Sequence, residues 1–425
     1  MIARVLRPTL RLLLTVVGLV SLVWAPTRDG RGELPPTPLA DGGSWPLVKT
    51  WIVRALIVLT VVGVMSGIVV LAGGVPLRAS SGHWAITAWL LDFAKVRAVR
   101  TQSMLVDVPP LDEERLIVMG AGQFEGACLP CHGGPGIEQP RIAGGMTPRP
   151  PNLAETVRRF APAELFYIVK HGIKFTGMPA WPAQGRDDEV WAVVAFLRTL
   201  PGMDVRAYEA LARGRARARA SEAPPIDGLV PPAAIAHVVV GTCGRCHGLD
   251  GDGRGLGAFP RLAGQRASYL RATLEAYKGG RRHSGFMEPI AAALGADDIQ
   301  AIAAYFAGLP RASADDRAED ADSGAGDDTA RGQSIAFEGI PGRDVPACIS
   351  CHGPTTYDRN PHYPRLAGQY AAYLELQLRL FKRRARGGTG YAPIMHRVVE
   401  GLGDDDIRAV AAFFASVPHS EDGVQ

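Results

Sequence analysis

The sequence predicts an all-α protein, with three helical domains in tandem after an N-terminal membrane-spanning helix. Three observations predict it. The motif CxxCH occurs at Cys128, Cys243 and Cys348, and these copies use all six cysteines of the 425-residue chain. Behind each copy the same landmarks recur in the same order, ending in an apolar helix that opens on acidic residues. Ahead of them all lies ALIVLTVVGVMSGIVVLAG, residues 55–73, a charge-free apolar run long enough to span hydrocarbon.

Length and composition fit this organisation. A chain of this size accommodates about two to four domains, each with its own core. A net charge of +4 and 7% aromatic residues argue against a nucleic-acid partner. Fifty glycines and 33 prolines point to short helices joined by irregular loops.

Residues 49–78 form the anchor. Lys49 and Arg54 precede the apolar run, which places its N-terminal flank in the cytoplasm and all that follows outside, in a bacterial periplasm. The earlier run LLLTVVGLVSLVWA, residues 12–25, follows Arg4, Arg7 and Arg11 in the manner of a signal-peptide core. Were it a second span, the topology would either return the CxxCH domains to the cytoplasm or place three arginines outside. Residues 1–48 are therefore assigned to a peripheral extension or a misassigned start, with two spans as the alternative. In the juxtamembrane segment 79–110, Trp84, Trp89, Leu90 and Phe93 lie near Lys95, Arg97 and Arg100, as in a helix lying in a membrane interface or one packed on the first domain.

Domains are expected at 111–204, 231–310 and 329–419. A basic linker, 205–230, carries Arg206, Arg213, Arg215, Arg217 and Arg219, and an acidic linker, 311–328, is too polar to fold alone. PRLAGQ occurs at 260–265 and 364–369, each time before a helix-patterned segment, and the first copy offers PRIAG at Pro140. A lone methionine follows in each unit: Met178, Met287 and Met395. Each lies ten or eleven residues before an aspartate of the closing helix, Asp188, Asp298 and Asp406. These aspartates can cap their helices, and Val190, Val194 and Leu197 or Ile299, Ile302, Ala303 and Phe306 fall at helical spacing.

CxxCH is the signal for covalent attachment of a c-type haem, both thiols bonding to the macrocycle and the histidine ligating iron. Structural zinc would need four protein ligands near each copy, and a dithiol switch expects one CxxC on a βαβ background; neither fits. The trailing LDGDGRG is no calcium loop, because Arg254 and Arg261 occupy positions that need oxygen ligands. The reading is three covalently bound haem c groups, tethered by Cys128 and Cys131, Cys243 and Cys246, and Cys348 and Cys351, with His132, His247 and His352 as proximal ligands. The recurring Met178, Met287 and Met395, in Gly/Pro-bearing loops, are the expected sixth ligands. Met146, His171, His283, His362 and His396 do not recur in register. Arg261 and Arg365 are candidate partners for haem propionates, with a solvent-facing role as the alternative.

With CxxCH, PRLAGQ, the later Met and the helix DDIxAxAAYF in place, residues 231–418 resemble the dihaem cytochromes c4. Residues 112–200 resemble a class I monohaem cytochrome c domain, and the anchor with VPLRASSGHWAIT resembles the start of membrane-bound bacterial c-type cytochromes. The resemblance implies class I cytochrome c domains whose N- and C-terminal helices cross beside the haem, with two haems close enough for intramolecular transfer. It also implies Met/His ligation, carried onto Met287 with His247 and Met395 with His352. A third domain, an anchor and an acidic linker depart from the c4 pattern. The expected function is a membrane-tethered periplasmic electron carrier, not an enzyme, passing single electrons from a quinol-oxidising complex or dehydrogenase to a terminal oxidase. The alternatives are the cytochrome subunit of a periplasmic dehydrogenase, and a catalytic peroxidase-like or small-molecule oxidase with one five-coordinate haem.

Overall fold

The structure, a computed structural model, describes residues 45–75, 77–214, 231–311, 326–353 and 360–418. The apolar run at 12–25 and most of both linkers lie outside the described residues. Two units separate, 1–81 and 82–425.

In the first unit, helix α1 (Trp45–Leu71) contains a 24-residue stretch, Val48–Leu71, long and apolar enough to cross a membrane. At about 1.5 Å per residue that stretch matches the roughly 30 Å of a hydrocarbon core. The helix starts earlier than its charge-free portion, and Arg54 lies over the Trp51 ring at 5.7 Å.

Among its described residues the second unit is built of helices joined by loops, with no strands beyond isolated bridges at Gly134–Ile137 and Ile340–Val345. It opens with α2 (Ala85–Gln102). The C-terminal end of α2 docks on the first domain, where Val99 is buried and Arg100 pairs with Glu164 at 3.4 Å. The other end leaves Trp84, Trp89 and Phe93 exposed. The first domain continues with α3 (Glu114–Gln123), α4 (Pro162–His171), α5 (Asp187–Thr199) and α6 (Val205–Arg213). The second has α7 (Ala233–Val238), α8 (Ala267–Lys278), α9 (Met287–Ala292) and α10 (Ala296–Gly308). The third has α11 (Gly326–Glu338), α12 (Ala371–Lys382), α13 (Ala392–Glu400) and α14 (Asp404–Ser416).

First and last helices cross closely in the outer domains, and glycine permits it. A Cβ on Gly120 of α3 would sit 2.0 Å from the Ala192 carbonyl oxygen of α5, and one on Gly332 of α11 would sit 2.0 Å from that of Ala409 in α14. Phe124 packs on Phe196 at 5.2 Å and Phe337 on Phe413 at 6.0 Å, so the paired aromatics flank both crossings. In the middle domain the fully buried Ile235 of α7 occupies this region instead. Gly332→Ala is expected to destabilise the third domain by about 2 kcal/mol through backbone displacement, as read by denaturant unfolding.

The basic linker begins later than its charges suggest. Residues 205–213 fold as α6, capped by Asp204 accepting from the Ala207 amide at 2.8 Å. Tyr208 is wholly buried against Phe124 and Phe196, its hydroxyl donates to Glu125, and Arg213 pairs with Glu125 at 2.7 Å. The arginines obscure an apolar face made by Tyr208, Leu211 and Ala212, which makes this helix part of the first domain.

Closing helices α10 and α14 start alike. The third helical residue, Asp298 or Asp406, accepts from the N-cap amide of Gly295 at 3.0 Å or Gly403 at 2.8 Å. Asp406 also takes Arg331 and Arg343. Burial would raise its pKa, but hydrogen bonds from Arg343, Arg331 and the Gly403 amide hold it well below the usual carboxylate range. Its stabilising contribution is therefore present above that range and lost as the pH falls through it towards the lower folded value. Asp406→Asn is expected to flatten the acid limb of a stability-versus-pH curve. In α5, Asp188 does not cap: it pairs with Arg186 at 2.8 Å.

Candidate functional site

Each CxxCH sits on a short helical turn ended by a left-handed glycine. The turns are Leu129–His132, Gly244–His247 and Ile349–His352, followed by Gly133, Gly248 and Gly353 at φ of 67°, 76° and 70°. Only glycine takes this conformation without strain, so the chain reverses directly behind the histidine. In the first two domains a π-turn, Phe124–Cys128 and Val239–Cys243, leads into the motif.

The three histidines are oriented identically. Nδ1 lies 2.8 Å from the Pro151 carbonyl in His132, 3.1 Å from Pro260 in His247 and 3.0 Å from Pro364 in His352. A carbonyl only accepts, so Nδ1 carries the proton and Nε2 keeps a free lone pair, the arrangement of a metal-ligating imidazole. Burial lowers the pKa of His132 and His247, which keeps the imidazoles neutral. Burial also pushes the first thiol of each motif up, Cys128 to about 12 and Cys243 and Cys348 to about 11. Thiols raised in this way are the opposite of the low-pKa thiols of a reactive dithiol, and among the described residues no His/Cys/Asp/Glu cluster could hold a bare metal ion.

These proline contacts correct the register of the first repeat. Pro151 does the work of Pro260 and Pro364, so the counterpart of PRLA is PNLA at 151–154, with Asn152 in the place of Arg261 and Arg365. PRIAG at 140–144 instead forms a separate helical turn. The signal, a proline followed by N-L-A, was in the sequence but less conspicuous than PRIAG.

PRLAGQ is a double device. Its glycines, Gly264 and Gly368 at φ of 61° and 69°, donate to the Phe306 and Phe414 carbonyls and tie the motif to the closing helix. Its glutamines clasp the neighbouring domain. Gln265 donates to the Arg365 carbonyl at 3.0 Å and accepts from the Arg365 amide at 2.9 Å; Gln369 does the same with Arg261, at 3.0 Å each. The pattern is two-fold, and the side chains of Arg261 and Arg365 complete it by donating to the Gly368 and Gly264 carbonyls at 2.6 and 3.1 Å. Gln265→Ala or Gln369→Ala each removes two buried interdomain bonds, so each is expected to cost about 2 kcal/mol in denaturant unfolding.

One cavity gathers most of the residues the sequence singled out. Cys243, Cys246, His247 and Met287 line it from the second domain, Cys348, Cys351, His352 and Met395 from the third, with Arg261 and Arg365 on its wall. Two thiols, an imidazole with a free Nε2 and a thioether per domain, in a largely apolar chamber, are the groups that a covalently attached haem needs. The methionines do not sit in loops as expected: Met287 opens α9 and Met395 lies within α13. Met178 does lie in a loop, where its carbonyl accepts from the Ile173 amide at 3.1 Å and its amide donates to Thr176. Of the rival histidines, His171 and His283 are exposed, the latter 3.2 Å from Glu288, and His396 contacts the Arg386 carbonyl at 2.7 Å.

The first domain reaches this site through Glu189, only 2% exposed. Its carboxylate accepts from the Ser284 hydroxyl and the Gly285 amide, both at 2.6 Å, and from the Trp181 indole at 3.2 Å. Ser284 in turn accepts from the Phe286 and Met287 amides at 3.2 and 3.1 Å. Arg186 sits beside Glu189 at 3.0 Å and donates to the His283 carbonyl at 2.9 Å. Glu189 occupies the helix position of Asp298 and Asp406 but turns outward to hold the segment leading into Met287. The acidic start of the helix was legible; a carboxylate reaching across a domain boundary was not.

Comparison with known proteins accords with this geometry. The family model described as cytochrome c oxidase, cbb3-type, subunit III matches residues 117–197 and 231–306, and that described as cytochrome c matches 330–418. The chain is 36% identical over 197 residues, 46% of its length and 86% of the relative's, to a thiosulfate dehydrogenase electron acceptor from Stutzerimonas stutzeri. It is 31% identical over 184 residues, 43% of its length and 86% of the relative's, to cytochrome c4 of Pseudomonas aeruginosa. A solved structure of reduced recombinant cytochrome c4 from Pseudomonas stutzeri aligns at 29% identity, over 44% of this chain and 98% of that one, with a TM-score of 0.38. The chain belongs to the c-type cytochromes, proteins that carry covalently bound haem c. Within them it is a multihaem cytochrome resembling cytochrome c4.

Proposed function

We propose that this chain is a membrane-tethered periplasmic trihaem cytochrome that relays single electrons, with each haem held by one CxxCH and ligated by His132 with Met178, His247 with Met287, and His352 with Met395. The observation that carries the reading is the cavity that collects two complete Cys/Cys/His/Met sets across a two-fold clasp. Haem iron bound there supplies reversible one-electron chemistry at a fairly high potential, since thioether ligation favours the reduced state. The protein's share is positional. The proline carbonyls fix each imidazole, the glutamines hold two domains in register, and the apolar walls would keep water from a haem held there. The α1 helix tethers the domains to the inner membrane.

Electrons enter from a dehydrogenase or quinol-oxidising complex and leave to a terminal oxidase. The dehydrogenase is favoured as donor because the match to this chain spans 86% of a relative described as a thiosulfate dehydrogenase electron acceptor. Carbon monoxide added to the reduced protein tests the carrier against the catalytic reading. No binding is expected, as every sixth position is closed; binding near one equivalent would assign an open haem and a catalytic role.

A further inference from the structure

The run LDGDGRG, which fails as a calcium loop, clamps the first domain onto the second. Its Arg254 donates to the Ala210 and Leu211 carbonyls in the last turn of α6, at 3.0 and 2.9 Å, and to the Arg245 carbonyl inside the second CxxCH at 3.1 Å. A cation at the C-terminal end of a helix meets carbonyls that lack intrahelical partners. Arg254 holds a left-handed φ of 67°, a strained conformation for a residue with a side chain, which persists where the surroundings over-determine it. The neighbouring Gly253 amide donates to the His247 carbonyl at 2.8 Å, so one loop is tied both to α6 and to the second attachment turn.

Under this clamp the first two motifs abut. Gly122 and Gly126, four residues apart on α3 and the π-turn that continues it, leave one face bare. A Cβ on Gly122 would sit 3.2 Å from the Cys246 sulfur and 3.1 Å from the Phe259 ring. One on Gly126, two residues before Cys128, would sit 2.8 Å from the Arg245 guanidinium. Val118 and Met119 of α3 are buried with Ala258 and Phe259, and Cys246 packs on that cluster. The second motif is covered accordingly. The residue before its second cysteine, Arg245, is half-buried, whereas the counterparts Pro130 and Ser350 are exposed. Of all the surface the second domain could offer, the first domain covers the turn that carries Cys246, and does so with the segment that leads into Cys128.

We propose that this contact is the electron-exchange junction between the first and second domains, with Arg254 as the residue that positions it. The inference rests on haem at both motifs. In the exchange one electron leaves ferrous iron at the first motif and reduces ferric iron at the second; no bond and no proton moves. Such a step depends on how closely the two centres are held, and the missing side chains at Gly122 and Gly126 let the two tethering segments touch.

The test uses the full-length holoprotein. A light-driven ruthenium complex is attached through Ile142→Cys, at a side chain 86% exposed on the first domain, and is re-reduced after each flash by an added tertiary amine. Each haem is followed at the wavelength that a redox titration assigns to it. With no other substitution, the electron is expected on the second haem before the third. Gly122→Leu, which wedges against Cys246 and Phe259, and Arg254→Ala, which opens the clamp, each slow the first-to-second step about tenfold, since a misplacement of about 1 Å can cost a proximity-dependent step about a hundredfold. The second-to-third rate is unchanged, and Arg254→Lys keeps most of the unsubstituted rate. Variants that lose stability in denaturant unfolding yet retain the first-to-second rate would reduce the contact to packing and overturn the proposal. Arrival at the third haem before the second would overturn it too, and this order decides alone if the variants fail to fold. Absence of haem from the Cys128 or Cys243 peptide would instead sink the earlier reading of these motifs.

Discussion

Replacing Met287 by histidine lowers the midpoint potential of the second-domain haem by on the order of 0.2 V, within the roughly 0.8 V range that axial ligands span, and leaves the other two haems in place. The direction follows from the ligand. A thioether favours ferrous iron, whereas a second imidazole is more basic and favours ferric iron. Met287 is suited to the exchange because it opens α9, with its amide held by Ser284, so the backbone delivers whichever side chain is present to the same wall of the cavity. A redox titration that resolves three components checks it. An unchanged second midpoint would move the sixth ligand elsewhere, and Met178→His and Met395→His extend the same test to the outer domains.

Glu189→Ala is expected to cost about 2 to 3 kcal/mol, because it removes the shared acceptor of Ser284, Gly285 and Trp181 and leaves Arg186 with Asp188 as its remaining carboxylate. The same substitution frees the segment leading into Met287, so a drop in stability should be accompanied by a lower second-haem potential. A loss of stability with all three midpoints intact would show that the clasp only joins domains. Burial raises the Glu189 carboxyl to about 7, against the pull of Arg186. The folded state therefore retains this proton longer than the unfolded chain. The associated stability is complete below the ordinary value of 4.5 and is lost as the pH rises through about 7. Denaturant unfolding across that window should show a falling limb in wild-type protein that Glu189→Gln removes.

What could be read from the sequence was whatever recurs. The CxxCH triplets, the closing helices and the repeated PRLAGQ gave the helical class and the cavity residues without coordinates, because each copy repeats one local solution. Contacts that differ between copies were hidden. Glu189 occupies an ordinary helix-start position, and only the packing of the second domain on the first turns it into a clasp. The arginine-rich start of residues 205–230 concealed α6, where a single buried tyrosine decides the packing. The glutamine of PRLAGQ carried the strongest unread signal: it is present in the two domains that clasp each other and absent from PNLA in the first.

The proposed relay requires three haems, each fixed to its own motif. Peptide mapping of the purified full-length protein by mass spectrometry tests this directly. One haem on each of the peptides that contain Cys128 and Cys131, Cys243 and Cys246, and Cys348 and Cys351 is the predicted result. Any of the three peptides recovered with free thiols from otherwise haem-loaded protein would contradict it.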